Sequence, residues 1–367
     1  MAVYIVLYCL IALFGVYTFY HRNQPEKRHV WGIILMTLLF TALVALRHPS
    51  MGIDLHYGES TGYLASYHKF SEMSFREVID MVQSSGWANY ESGYVVFNKL
   101  LTYISADDQV LLIGCAILSI VPIGLLIALY SKDYDFSMVV YLGLSLGLIV
   151  FSALRQAIAV GICTLSFPFI RRKQWAPFLL LVFLAWLFHS SAIAFLVAYP
   201  AYHLKLKRWQ RLLGIPLLVG IFLGRNQIFR IAMKLLDKDA VPEDTNAYRL
   251  MVVFGLVYLF CVVFWDKEDD TSGGFLNVFY FACVCQCFSS INAIAERLGY
   301  FFMVGLVIAL PNIVMNLKNV KIRMLFKYGI CSAFVAFGLY SFYSCYWSQT
   351  YPYHFFWENL SAPATGA

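Results

Sequence analysis

From Phe136 to Ile170 the chain runs for 35 residues in which the only charged or amide side chains are the adjacent Arg155 and Gln156 of "VFSALRQAIAVG". As one helix this stretch would be about 52 Å long at 1.5 Å per residue, whereas the hydrocarbon core of a bilayer is about 30 Å thick. A guanidinium at the centre of a membrane helix costs roughly 2.5–3.5 kcal/mol on insertion scales. Basic residues stand at both ends of the stretch, Lys132 before it and Arg171, Arg172 and Lys173 after it. The segment therefore folds back on itself near Arg155, which puts that side chain at the turn of a helical hairpin.

The rest of the chain has the same character. Hydrophobic residues make up 60% and charged residues 13% of it, too little polar surface to clothe a soluble core of this size. Apolar runs of spanning or nearly spanning length fall at 2–20, 30–46, 109–130, 136–153, 156–170, 175–188, 190–204, 212–229, 250–265, 275–294, 299–316 and 324–345. The expectation is an all-α polytopic membrane protein of about twelve helices, one integral domain over 1–367. The first run lacks a basic n-region and a small-residue cleavage site, so it reads as a retained helix and not a signal peptide.

Basic clusters fix an orientation. Arg22, Lys27 and Arg28; Lys132; Arg171 to Lys173; Lys205, Lys207, Arg208 and Arg211; Lys267; and Lys318, Lys321 and Arg323 all fall in alternate loops. One topology with both termini outside satisfies the positive-inside rule throughout. The net charge of +6 is thereby explained by the membrane face, with no nucleic-acid partner. The nine cysteines are scattered through apolar runs without a CxxC pair and read as packing residues.

The orientation gathers the unusual polar residues on one face. "WLFHSSAIAF" puts His189 at an outer turn, beside Ser190 and Ser191, which are placed to orient its ring. "AIAERLGYFF" puts Glu296 and Arg297 at another. The long external segment, about 47–92, holds Arg47, Asp54, Glu59 and Glu91. Within it Phe75, Val78, Ile79 and Val82 recur at helical spacing behind a Ser74/Glu77 capping box, the pattern of an amphipathic helix lying on the outer leaflet and framing the site. The tail "YWSQTYPYHFFWENL" reads as an interfacial aromatic belt, with stacking against sugar rings as the alternative. Each polar residue alone has an ordinary explanation, such as a snorkelling arginine or a solvated ion pair. Their recurrence at successive outer turns, where positive-inside bias disfavours arginine, points to a cationic pocket open to the outside.

Such a pocket suits phosphate, because planar guanidinium groups offer bidentate charge-assisted hydrogen bonds. Arg47, Arg155 and Arg297 would hold a lipid diphosphate and stabilise it as a leaving group. A nearby His189, Glu91 or Asp54 would deprotonate an acceptor hydroxyl. Histidine leads, since imidazole suits proton transfer near neutral pH, whereas arginines beside Asp54 and Glu91 would lower their pKa values and weaken them as bases. Asp54 and Glu91 are a weak metal signal, and there is no P-loop, HExxH or DxD.

At these residues the chain resembles the EpsG-like branch of the Wzy polysaccharide polymerases. The resemblance rests on "LRHPSMGIDLHYGE", "YESGYVVFNKL", "ALRQAIAVGI", "LFHSSAIAF" and "ERLGYFF", in order over roughly residues 46 to 302. Carried over position by position, the matched residues are Arg47, Gly52, Asp54, Tyr57, Glu91, Tyr94, Arg155, Gln156, His189, Ser190, Ser191 and Arg297. Tyr57, Tyr94, Gln156, Ser190 and the neighbouring Glu296 would then contact substrate. The resemblance implies a GT-C-type glycosyltransferase of the bacterial inner membrane, with its active site facing outward. It would transfer a growing glycan from an undecaprenyl diphosphate donor to a lipid-linked repeat unit. It further implies no cofactor, no metal, and a chain-length regulator as a partner beside the membrane lipids. A flippase for the same lipid-linked oligosaccharide, an O-antigen-type ligase and a membrane acyltransferase are the rivals. The flippase is disfavoured because the helix middles are nearly free of the charges a transport path needs.

Overall fold

The computed structural model describes residues 1–21, 29–84, 91–144, 146–235 and 249–360, and among these the regular structure is helical. The basic residues Arg22, Lys27 and Arg28 of the first loop lie outside the described residues. Two apolar helices, α1 (Ala2–His21) and α2 (Val30–Ala45), open the chain. Three short helices follow in the 47–92 segment and just beyond it: α3 (Gly62–Glu72), α4 (Phe75–Ser84) and α5 (Ser92–Thr102). Next comes α6 (Asp108–Tyr130), started by the Asp107 side chain, which accepts from the Gln109 N–H.

The long apolar stretch does not form one rod. It breaks into α7 (Tyr134–Gly143), the single turn α8 (Leu146–Ile149), α9 (Leu154–Thr164) and α10 (Phe167–Arg171). The 190–204 run is likewise split, with α11 (Trp175–Phe188) followed by a 3₁₀ segment (Ser190–Val197) and α12 (Ala198–His203). The remainder is α13 (Arg208–Leu212), α14 (Gly214–Leu235), α15 (Arg249–Phe264), α16 (Asp270–Gln286), α17 (Ala293–Met315) and α18 (Val320–Ser344). Among the described residues, five helical stretches are long and apolar enough to cross a membrane, and three shorter apolar helices accompany them. Several of the runs marked in the sequence are thus built from broken or short helices and not full-length spans.

Burial sorts these helices. In α17, 89% of the best apolar window is buried, against 11% for the Arg208–Lys234 stretch and 6% for α18. So α17 is the axis, packed on α16, whereas α14 and α18 turn leucines, valines and tyrosines outward. An apolar exterior of that kind has lipid as its natural solvent.

Two polar ends terminate the bundle, joined by α6 and α17, each about 34 Å long at 23 residues. At one end Lys132 reaches Asn316 and Asp269, Arg208 donates to the Trp265 carbonyl, and Arg211 lies over the Trp265 ring. These are the basic loops that the charge pattern assigns to a single face. At the other end lie the turns at 151–155 and 189–191, the start of α17, and the 47–57 loop.

That loop is fastened in place. Arg47 is fully buried and donates to the carbonyls of Val44 (3.0 Å), Met51 (3.2 Å) and Phe151 (3.0 Å), with its guanidinium over the Phe151 ring. Gly52, at φ 119°, passes so close to the Phe151 carbonyl oxygen that a Cβ would collide with it. The tail closes over the same loop: His48 donates its N–H to His354, Phe356 to Leu46, and the Tyr353 hydroxyl to Leu43. Residues 346–360 are therefore pinned to protein, and the belt reading fits only outward rings such as Trp357.

Helix α4 carries the expected capping box, Ser74 N–H to Glu77 and Glu77 N–H to Ser74 Oγ. Its apolar face, however, packs on Phe70 and Val95 of α3 and α5. Val78 and Val82 are buried there, whereas Phe75 of the same face stays 41% exposed.

Candidate active site

The turn that follows α9's broken predecessor places Arg155 in the first turn of α9, and the end of α11 leaves His189 in extended backbone (φ −156°, ψ 119°) before the 3₁₀ turn begins. Glu91 sits at the N-cap of α5 with φ 43°, a left-handed conformation that a glutamate adopts at a cost. These three elements bring three side chains together. Glu91 Oε2 lies 2.7 Å from Arg155 Nη1, and Oε1 lies 2.8 Å from His189 Nδ1. The Ser190 N–H donates to the same Oε1 at 3.3 Å. The carboxylate, not the serine hydroxyls, therefore orients the imidazole.

Arg155 is anchored a second time, by Nε to the Tyr63 hydroxyl at 3.1 Å, with its guanidinium facing the Tyr63 ring. Its side chain is still 40% exposed and fronts a cleft of about 460 Å³. Asp54, Lys69, Tyr94, Gln156, His189 and Arg297 line the same cleft. Gln156 is buried and donates its amide to the Arg297 carbonyl, which ties the start of α17 to α9. Arg297 and Lys69 stand exposed at the rim.

The cleft divides its acids. Burial pushes Glu91 upward, but the His189 hydrogen bond and the Arg155 charge outweigh it and hold the carboxyl below the usual carboxylate range. For Asp54 burial prevails over the opposing charges of Arg297, His56 and Arg155, and the carboxyl is raised. The expectation that both would be lowered is corrected for Asp54, because partial burial costs its charge more than the guanidinium groups return. An ionised Glu91 can only accept, so Nδ1 of His189 is the donor to it; in the neutral ring this leaves the lone pair on Nε2, the arrangement of a base oriented by a carboxylate.

Other candidates stand elsewhere. Arg47 is apart from the cleft, since its donors are engaged by main-chain carbonyls below the 47–57 loop; a diphosphate ligand role does not fit that burial. Tyr57 lies edge-on to His48 in an adjoining groove, and Glu296 accepts from Tyr300 one turn along α17. Ser190 contributes its main-chain N–H. Tyr63 and Lys69 were missed in the sequence. Their signal was the spacing of Tyr63, Ser66, Lys69 and Phe70 along one face of α3, which looks like any surface helix until α3 is placed.

Among the described residues no three His, Cys, Asp or Glu side chains are grouped as a metal site. A larger cleft of about 1000 Å³ lies at the opposite end, lined by Arg171, Lys205, Arg208, Arg211 and Lys267. It lacks the carboxylate–imidazole pair and holds none of the motif residues, so the smaller cleft is the candidate site.

No curated protein and no solved structure matches the chain. The EpsG family model does, over residues 30–355, a span that takes in the ion triad, the cleft and most of the pinned tail. The chain belongs to the EpsG family, a family of Wzy-like polymerases, and is a polysaccharide repeat-unit polymerase-like membrane protein.

Proposed function

We propose that the chain is a GT-C-type glycosyltransferase that joins polyprenyl diphosphate-linked repeat units, with its cleft on the outer face of the bacterial cytoplasmic membrane. The observation that carries this reading is Glu91 bridging Arg155 and His189, because it sets a diphosphate-binding cation and an oriented base in one cleft. In this mechanism Arg155, Arg297 and Lys69 bind the donor's diphosphate. Nε2 of His189 takes the proton of an acceptor hydroxyl, whose oxygen bonds the anomeric carbon. The bond from that carbon to the phosphate oxygen breaks, and its electron pair leaves with the diphosphate, where the guanidinium groups stabilise the growing charge. Asp54, whose carboxyl burial raises, is the second proton acceptor the cleft offers.

The positive-inside pattern supports the outward orientation, since the basic loops gather at the end of the bundle opposite the cleft. Expression in a strain lacking its own polymerase tests the activity. A ladder of repeat units is the expected result. Single capped repeats would identify a ligase instead, and export of unpolymerised units would identify a flippase.

A further inference from the structure

Next to the cleft, and sharing His56 with it, lies a second groove of about 530 Å³ between the 50–59 loop and the pinned tail. Its lining includes Tyr57, Tyr346, Tyr351, Gln349, His56 and Glu59, and neither lysine nor arginine. We propose that this groove is a carbohydrate subsite, taking uncharged sugar rings of the glycan whose diphosphate end occupies the Arg155 cleft. The inference rests on the polymerase reading above and names where its glycan runs.

The chemistry of the lining selects the ligand. With no fixed cation the groove offers nothing to a second phosphate. Tyr346 (79% exposed) and Tyr351 (44% exposed) present ring surface to solvent, and tyrosine joins an apolar face to a hydroxyl. A pyranose ring has the matching character, with a C–H face and a rim of hydroxyls. The Gln349 amide and the Glu59 carboxylate supply donors and acceptors for that rim. The volume falls in the range that usually buries a drug-sized ligand, enough for a few sugar rings.

Backbone geometry points to the same place. Among the described residues four non-glycine residues have positive φ: His56 (52°), Glu91 (43°), Lys173 (57°) and Gln349 (46°). Gln349 lines the groove, His56 lies on the boundary of groove and cleft, and Glu91 holds the catalytic pair. Such conformations persist where the surroundings impose them, often at ligand sites; Lys173, the fourth, lines the basic cleft at the opposite end. The alternative occupant is lipid headgroup, the usual neighbour of interfacial tyrosines. Against it, the tail is pinned at Leu43, Leu46 and His48, so its tyrosines form one wall of a cavity.

The test uses two probes with purified full-length protein in detergent: undecaprenyl diphosphate, and the soluble glycan released by mild acid from lipid-linked repeats of a strain lacking this gene. Binding is read by microscale thermophoresis, with Tm as the control for folding. Tyr346→Ala/Tyr351→Ala is expected to weaken glycan binding about tenfold or more while leaving undecaprenyl diphosphate binding within about twofold. Tyr351→Phe, which keeps the ring, is expected to retain most of the glycan affinity. Wild-type protein that fails to bind the glycan, or a double variant that binds it as well as wild type, overturns the subsite. Arg155→Ala separates the two readings. Loss of undecaprenyl diphosphate binding with glycan binding retained supports both, whereas unchanged diphosphate binding removes the diphosphate role and leaves the sugar groove to be judged on the tyrosine variants.

Discussion

Gln156 on α9 donates its side-chain amide to the main-chain oxygen of Arg297 on α17, 2.5 Å away and 141 positions along the chain. Two of the segments that carry the resemblance are joined by this bond, and neither residue reveals it in the sequence. Removing the donor forfeits that hydrogen bond, a loss of about 0.5–1.5 kcal/mol, because the Arg297 oxygen lies within α17 and keeps its acceptor role along the helix. Gln156→Ala is expected to lower Tm by about one or two degrees and to cut polymer yield by displacing the Arg297 rim. Thermal unfolding in detergent and the repeat ladder in cells check the two halves separately.

The Glu91–His189 pair predicts an ordering of defects. A general base typically contributes 10²–10⁴ in rate, so His189→Ala is expected to lose about that much kcat with defined lipid-linked substrate. Asp54→Asn is expected to lose less. Glu91→Gln keeps the size of the side chain but removes the charge that holds the tautomer, and its loss should fall between them. A His189→Ala enzyme with nearly full turnover would move the base to Asp54.

Arg155→Lys tests the geometry of the cation. An ammonium cannot engage Glu91 and Tyr63 and still offer a planar fork. The lysine variant is expected to bind undecaprenyl diphosphate at least about tenfold more weakly than wild type, measured by titration, with Arg155→Ala weaker again.

Glu91 also sets a pH dependence of stability. Its folded pKa is lowered, so its pairs contribute fully above the unfolded glutamate value of about 4.3 and the contribution is lost as pH falls through the folded value. The Tm difference between wild type and Glu91→Gln is expected to be largest near neutral pH and to shrink below about pH 4. Scanning Tm from neutral to acid pH checks the sign.

Side of the membrane is tested with single cysteines in a cysteine-free background. Ser190→Cys, beside the cleft, and Lys205→Cys, whose side chain is 86% exposed at the other end, should label from opposite sides with an impermeant thiol reagent.

Charges stranded in long apolar runs were the legible part of the site. Arg155, His189 and Arg297 had nowhere inexpensive to sit except a turn, so chain length and bilayer thickness located them before any contact was known. Arg47 was not legible in that way. An arginine just past an apolar helix can bind a ligand, snorkel or cap carbonyls, and only the approach of Phe151, 104 positions on, decides for the last. The break near Arg155 was legible from length, but those at Leu144 and at 165–166 escaped detection because the residues flanking them are apolar on all sides, which erases the periodicity that marks a helix end. For α4 the amphipathic face was plain, but whether lipid or α3 and α5 cover it depends on tertiary placement.

The pinned tail has a consequence for how the protein is made. Residues 350–356 leave the ribosome after all the described α-helices, yet they tie down the 47–57 loop, and Thr350 also accepts a hydrogen bond from Tyr4 in the first helix. A chain that stops before Thr350 can insert all the described helices and still lack the strap beside its cleft. Completion of the cleft end thereby waits until residues 350–356 have been made, and a chain terminated before them is expected to reach the membrane and to show no ladder in the repeat assay.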